Sequence, residues 1–142
     1  MKYLLDTNVV SELARRMPDD NVVSWVSSVE EEMLYLPSPV VGEIEYGVAK
    51  LEDGVRKERY AGFVQEIRNK FGARVLAFDA EMAVAWGRLR GALVRRGKTP
   101  PVIDSMIAAM ALLHGMTVVT RNTRDFEIAG VSLLNPFTKG VL

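Results

Sequence analysis

Apolar residues recur along this chain in two rhythms. Short, nearly unbroken runs at 3–5, 33–36, 74–78, 116–120 and 131–134 alternate with longer stretches whose apolar positions repeat every three or four residues. The first rhythm reads as strands buried on both faces, the second as amphipathic helices. Strands separated by helices predict an α/β domain, a mostly parallel central sheet of about five short strands flanked by helices.

Within the helical stretches the stripes are specific. After the first strand, Val9, Val10, Leu13 and Ala14 begin a helix for which Thr7 and Asn8 supply the turn and the cap. Asp19 or Asp20 caps a second, with Val22, Val23, Val26 and Val29 on its apolar side, and the acidic run 30–32 reads as its solvated end. Ser38 as N-cap with Pro39 at the first helical position starts a third, whose stripe is Val40, Ile44, Val48 and Leu51. Gly42 and Gly47 inside it suggest close approach of another backbone or a ligand. A fourth, from about 55 to 71, carries Phe63, Val64, Ile67 and Phe71 and ends at Gly72; a fifth follows Asp79, read as an N-cap, with Met82, Trp86, Leu89 and Leu93 as its stripe. The basic residues of its second half, Arg88, Arg90, Arg95, Arg96 and Lys98, suit a helix C-terminus through the dipole. The stretch 102–114 is apolar nearly all round, so it predicts a central helix covered on most sides and stopped by Gly115. The stretch 121–126 reads as a polar loop.

Composition narrows this picture. One hundred and forty-two residues, 49% of them hydrophobic, make one domain spanning 1–142 with a continuous core. There is no cysteine, which excludes disulfides and thiolate metal sites and fits a reducing, cytoplasmic setting. Neither a signal-peptide pattern nor an apolar run long enough for a membrane span is present, so no membrane role is expected. The formal net charge is zero, which speaks against tight non-specific binding of a whole duplex but leaves room for a local basic groove.

The candidate chemistry lies in carboxylates. Asp6 stands where the first strand gives out, at the sheet edge where α/β folds place ligands; helix capping alone is the competing role. Glu43 lies in the second turn of its helix, about 100° round from Ile44. Asp104 is the one acid on the apolar 102–114 helix, where an unpaired carboxylate costs several kcal/mol. Asp125 is a fourth candidate. Thr7, Asn8, Thr120 and Asn122 stand beside these positions as supporting polar groups, and Arg121 and Arg124 as candidate contacts to a nucleic-acid backbone. If the acids converge, their repulsion calls for a cation, and oxygen-only donors select Mg²⁺ or Mn²⁺. Such a cluster supports phosphodiester hydrolysis. The only histidine, His114, sits at the far end of its helix, so histidine catalysis is not expected.

The residues also resemble a known family. Leu-Leu-Asp-Thr-Asn-Val-Val-Ser-Glu at 4–12, Ser-Pro-Val-Val-Gly-Glu-Ile-Glu-Tyr-Gly-Val at 38–48, the stretch 104–111 and Val-Thr-Arg-Asn-Thr-Arg-Asp-Phe at 119–126 look like successive motifs of a PIN domain, nearest the VapC/FitB-like toxins of bacterial type II toxin–antitoxin pairs. The resemblance implies a metal-dependent ribonuclease acting on RNA, usually a homodimer, inhibited by a small cognate antitoxin through which alone it meets operator DNA. Asp6, Glu43 and Asp104 match the family's acidic triad. Many relatives carry a fourth Asp where this chain has Asn122, and Asp125 lies three residues on. Two other readings compete. In a phosphoacceptor receiver domain, Asp6, Asp79, Thr120 and Lys139 would follow strands, but Glu43 and Asp104 would be idle. A catalytically inactive binding module of the same fold would have no use for an intact triad.

Overall fold

The computed structural model describes residues 1–138 and builds them around five short parallel strands, β1 (Tyr3–Leu5), β2 (Leu34–Pro37), β3 (Val75–Leu76), β4 (Thr117–Val119) and β5 (Leu133–Leu134). Seven helices connect or flank them: α1 (Thr7–Leu13), α2 (Asp20–Ser28), α3 (Ser38–Ala49), α4 (Val55–Phe71), α5 (Ala80–Arg95), α6 (Val102–His114) and α7 (Thr123–Glu127). The spatial order of the sheet is β3-β2-β1-β4-β5, and every neighbouring pair is parallel. From β1 the chain winds outward through β2 to β3, then returns across the sheet to β4 and winds the other way. The reversal falls between β1 and β4, whose carboxyl ends therefore flank the natural ligand crevice. Receiver-type sheets have the order 2-1-3-4-5 instead, so the topology removes that reading; Lys139, which it also required, lies outside the described residues.

The core follows the apolar pattern. Leu4, Leu5, Leu36, Val118 and Val119 from the strands meet Val9, Val10, Val40, Ile44, Ile107 and Met110 from the helices, all buried. Among the described residues no helix is long and apolar enough to cross a membrane.

Several local expectations are corrected. The third strand shrinks from 74–78 to two residues because it is a sheet edge: Arg74 belongs to a preceding 3₁₀ turn, and the Phe78 N–H donates to Ser38 Oγ at 2.9 Å instead of to a ladder. Ser38 is thus not the cap of α3 but its first residue, after Pro37. The acidic run does not end α2, which stops at Ser28; residues Glu31–Met33 form their own 3₁₀ turn, and Glu31 takes Arg74 at 3.4 Å and Lys70 at 4.0 Å. The polar stretch 121–126 is not a loop but contains α7, held by wholly buried Phe126. A Cβ at Gly42 would meet nothing within 4 Å, whereas one at Gly47 would stand 3.4 Å from the Tyr60 ring, so only the second glycine marks a close approach. Helix α6 is covered from Ser105 to Ala111, but its last turn leaves Leu112 and Leu113 nearly half exposed.

Candidate active site

Asp6 is both cap and site residue. Its N–H extends the β1–β4 ladder by donating to the Val119 carbonyl at 3.0 Å, and its backbone then turns into α1. Its side chain is buried and saturated with short-range donors: Oδ1 accepts from the Thr7 N–H at 2.7 Å, Oδ2 from the Thr120 hydroxyl at 2.8 Å and from Asn8 Nδ2 at 3.2 Å. Thr120, the first residue past β4, is fully buried; its oxygen also accepts from the Asn122 N–H at 2.9 Å. Asn8 closes the ring by donating to Thr120 at 3.2 Å and accepting the Arg121 N–H at 3.0 Å. The ends of the two central strands are in this way laced together around one carboxylate.

Burial drives the Asp6 pKa up, and the nearby charge of Glu43 adds to this, while the hydrogen bonds from Thr120, Thr7 and Asn8 pull it down. Glu43 reaches the same edge from the second turn of α3, and the Thr7 hydroxyl donates to its Oε1 in a short hydrogen bond. Asp104 arrives in the first turn of α6. Its carboxyl is pushed up to about 7, chiefly by burial and then by the charges of Asp6, Asp125 and Glu43. Asp104 therefore lies within electrostatic range of all three other candidate acids. Among the described residues no cation pairs with Asp104.

The donor set is entirely oxygen: four carboxylates, three hydroxyl or amide side chains, no sulfur and no histidine. That chemistry fits a hard divalent cation. Among the described residues, no three acidic or histidine side chains are drawn tightly enough together to hold an ion as they stand. The fit therefore rests on the donor chemistry and on the mutual repulsion seen at Asp104, which a cation would relieve.

Asp125 lies in the first turn of α7, its N–H donating to the Asn122 carbonyl at 3.1 Å, so positions 122 and 125 sit on one curl of chain. Among the described residues it makes no ion pair with Arg121 or Arg124. Arg121 is engaged elsewhere: its guanidinium lies 3.8 Å over the Phe137 ring and 4.0 Å from Glu12. Arg124 is exposed. Asp79 caps α5 through the Met82 N–H at 3.0 Å, and His114 stands on the exposed end of α6.

Three supports were not legible in the sequence. Glu12, 6% exposed, accepts the Asp19 N–H at 2.9 Å and anchors Arg15 and Arg121. The Thr7–Glu43 bond joins residues 36 positions apart. Helix α6 has no side-chain cap. Its start is pinned from α5, where Trp86 Nε1 donates to Ser105 Oγ at 2.9 Å and Arg90 to Ser105 Oγ at 3.3 Å and the Pro100 carbonyl at 2.7 Å. Arg90 is thus no dipole partner for its own helix end but a strut for the residue beside Asp104. The only sequence signal for this was a polar Ser105 within an apolar run.

The PIN domain family profile matches residues 3–131. The chain is 38% identical over 135 residues to Toxin FitB of Neisseria gonorrhoeae, covering 94% of this chain and 97% of that one. It is 36% identical over 135 residues to VapC ribonuclease Y4jK of Sinorhizobium fredii, with 94% and 96% covered. A solved structure described as FitAB bound to an IR36 DNA fragment superposes with a TM-score of 0.89 at 38% identity, covering 98% of each chain.

Proposed function

This chain belongs to the PIN-domain family, and from that premise we propose that it is a divalent-metal-dependent endoribonuclease, the toxin of a type II toxin–antitoxin pair. The observation that supports the reading is Asp104, whose carboxyl is raised to about 7 by burial and by the charges of Asp6, Asp125 and Glu43, with Asp6 itself at the β1–β4 switch point. Relatives named as a ribonuclease and as a toxin support the same activity and role. The solved FitAB–DNA assembly supports a partner protein through which operator DNA is met. The protein would work in the cytoplasm, as a homodimer, with one PIN domain spanning the chain.

Asp6, Glu43, Asp104 and Asp125 are the residues that would hold Mg²⁺ or Mn²⁺. Bound there, the cation supplies Lewis acidity toward a phosphodiester oxygen and lowers the pKa of a bound water. The remaining work is done by the chain. Thr120, Thr7 and Asn8 fix the Asp6 carboxylate in one orientation, so that little is lost in ordering it. The Thr7 hydroxyl holds Glu43 in the same way. Asp104 gives up its proton near neutral pH, and a bound cation would favour its charged form. Asn122 offers an amide oxygen but no charge, and Asp125, one helical turn further on, would supply charge through water.

The direct test is incubation of the purified protein with labelled single-stranded RNA in Mg²⁺ or Mn²⁺, with and without chelator. Endonucleolytic cleavage that the chelator stops is the expected result. Intact RNA at all metal concentrations, from protein shown to be folded, overturns the reading and leaves the inactive binding module in its place.

A further inference from the structure

The catalytic cluster leaves Tyr46 unexplained. It is 66% exposed, lies off the buried stripe of α3, and stands one helical turn beyond Glu43. Lys50 follows one turn later, its ammonium 5.3 Å over the Tyr46 ring. Spacings of three and four residues put carboxylate, aromatic and cation on one face of α3, with Tyr46 roughly 4.5 Å and Lys50 roughly 10.5 Å from Glu43 along the axis. This face walls a groove of about 850 Å³ that opens at Thr7 and Glu43 and runs out between α3 and α4. Arg56 and Arg59 of α4 line it together with Glu58 and Glu66, and among the described residues neither the two arginines nor Lys50 has an ion-pair partner. On the other side of Tyr46 a hollow of about 450 Å³, lined by Pro39, Phe78, Ile103 and Met106, also touches Glu43. Tyr46 is therefore a ridge between two recesses that share the Glu43 carboxylate.

We propose that Tyr46 and Lys50 contact the substrate: Tyr46 stacks a base next to the scissile phosphate, and Lys50, with Arg56 and Arg59, neutralises the phosphates of the strand leading away along the groove. The inference rests on the ribonuclease reading and adds the residues that would grip the strand; a ring that stacks a base needs that base splayed from any partner. An aromatic face flanked by unpaired cations is the combination that holds single strands with little regard to sequence. In a chain of zero net charge, affinity for a polyanion has to come from individually placed cations such as Lys50, Arg56 and Arg59.

The test uses a fluorescent single-stranded oligoribonucleotide, titrated with the full chain in chelator so that the strand stays intact, beside cleavage kinetics on the same strand in Mg²⁺ or Mn²⁺. Tyr46→Ala is expected to weaken binding roughly ten-fold and to raise KM, and Tyr46→Phe to restore both, since a phenyl ring stacks as well. Lys50→Gln is expected to weaken binding and to reduce the slope of log affinity against log salt by about 0.7. Both sites are on the surface, so folding is not at stake. If wild type cleaves and binds the strand and the variants match it, this inference falls while the ribonuclease reading stands. If wild type neither binds nor cleaves, the reading itself fails. If the substitutions weaken a complex with a protein partner and leave RNA binding untouched, the groove is a protein-docking surface and the proposal is overturned.

Discussion

Asp104 shows how single residues carry the chemistry. A carboxyl held up at about 7 in the folded chain, against an ordinary value of 3.8, binds its proton more tightly when folded than when unfolded. The stabilising contribution is then fully present below pH 4 and is lost as pH rises through 7. Asp6 is shifted in the same direction. In chelator, the stability contributed by Asp104 should therefore fall between about pH 4 and 7, and Asp104→Asn should flatten that fall; parallel denaturation midpoints for the two proteins across this range would remove the electrostatic account. Adding Mg²⁺ or Mn²⁺ at pH 8 should raise the wild-type midpoint and barely move that of the variant, since a ligand stabilises only the state that binds it. The same logic governs activity. Asp6→Asn, Glu43→Gln and Asp104→Asn each remove a charge with little change of shape, and each is expected to abolish metal-dependent RNA cleavage while leaving a folded protein. Wild-type rates in all three would sink the assignment of the site.

At the scale of elements, what could be read from the sequence was what depends on local pattern. The run 3–5 ending on Asp6, the stripe Val40–Ile44–Val48 that aims Glu43, and the apolar helix bearing Asp104 each state their own burial, and the parallel sheet follows from their alternation. What could not be read depends on distant partners. The edge position of β3 shortens it, and Ser38 loses its capping role because Phe78 claims its hydroxyl, neither of which is encoded nearby. Helix α7 is the instructive case: five residues have too little intrinsic stability to form alone, and this turn exists because Phe126 is driven wholly into the core. That burial decides where Asp125 stands. With its charge felt at Asp104 and no ion pair to Arg121 or Arg124 among the described residues, Asp125 is proposed as an outer ligand that acts on a cation through water. Asp125→Asn should raise the metal concentration needed for half-maximal cleavage more than it lowers the saturated rate, and Asn122→Asp added to it should recover part of the loss. A change in thermal stability alone, with unaltered metal dependence, would make the residue structural and leave the site to Asp6, Glu43 and Asp104.

For the whole molecule, the question is what restrains such an activity. A nuclease that opens its acidic edge and the groove beside it to solvent would damage its own cell unless something covers them. Nothing in the described residues closes over that edge: Glu43 and Asp104 are only partly buried, and the groove beside them is open. We propose that a second protein supplies the restraint, a reading that the solved FitAB assembly on DNA supports. A partner that inhibits by occupying the acidic edge has to offset its negative charge, and an arginine suits that task because its guanidinium stays protonated and forks onto carboxylates. Expression of this chain alone is accordingly expected to arrest growth, Asp104→Asn to abolish the arrest, and co-expression of the cognate partner to relieve it. Relief should fail when the partner's cleft-facing arginine is replaced by glutamine, provided that the partner still accumulates. The decisive control is the state of the protein. If wild type accumulates soluble and folded to high level in a host without the partner, and growth stays normal, then the open acidic edge is no hazard and the toxin role falls.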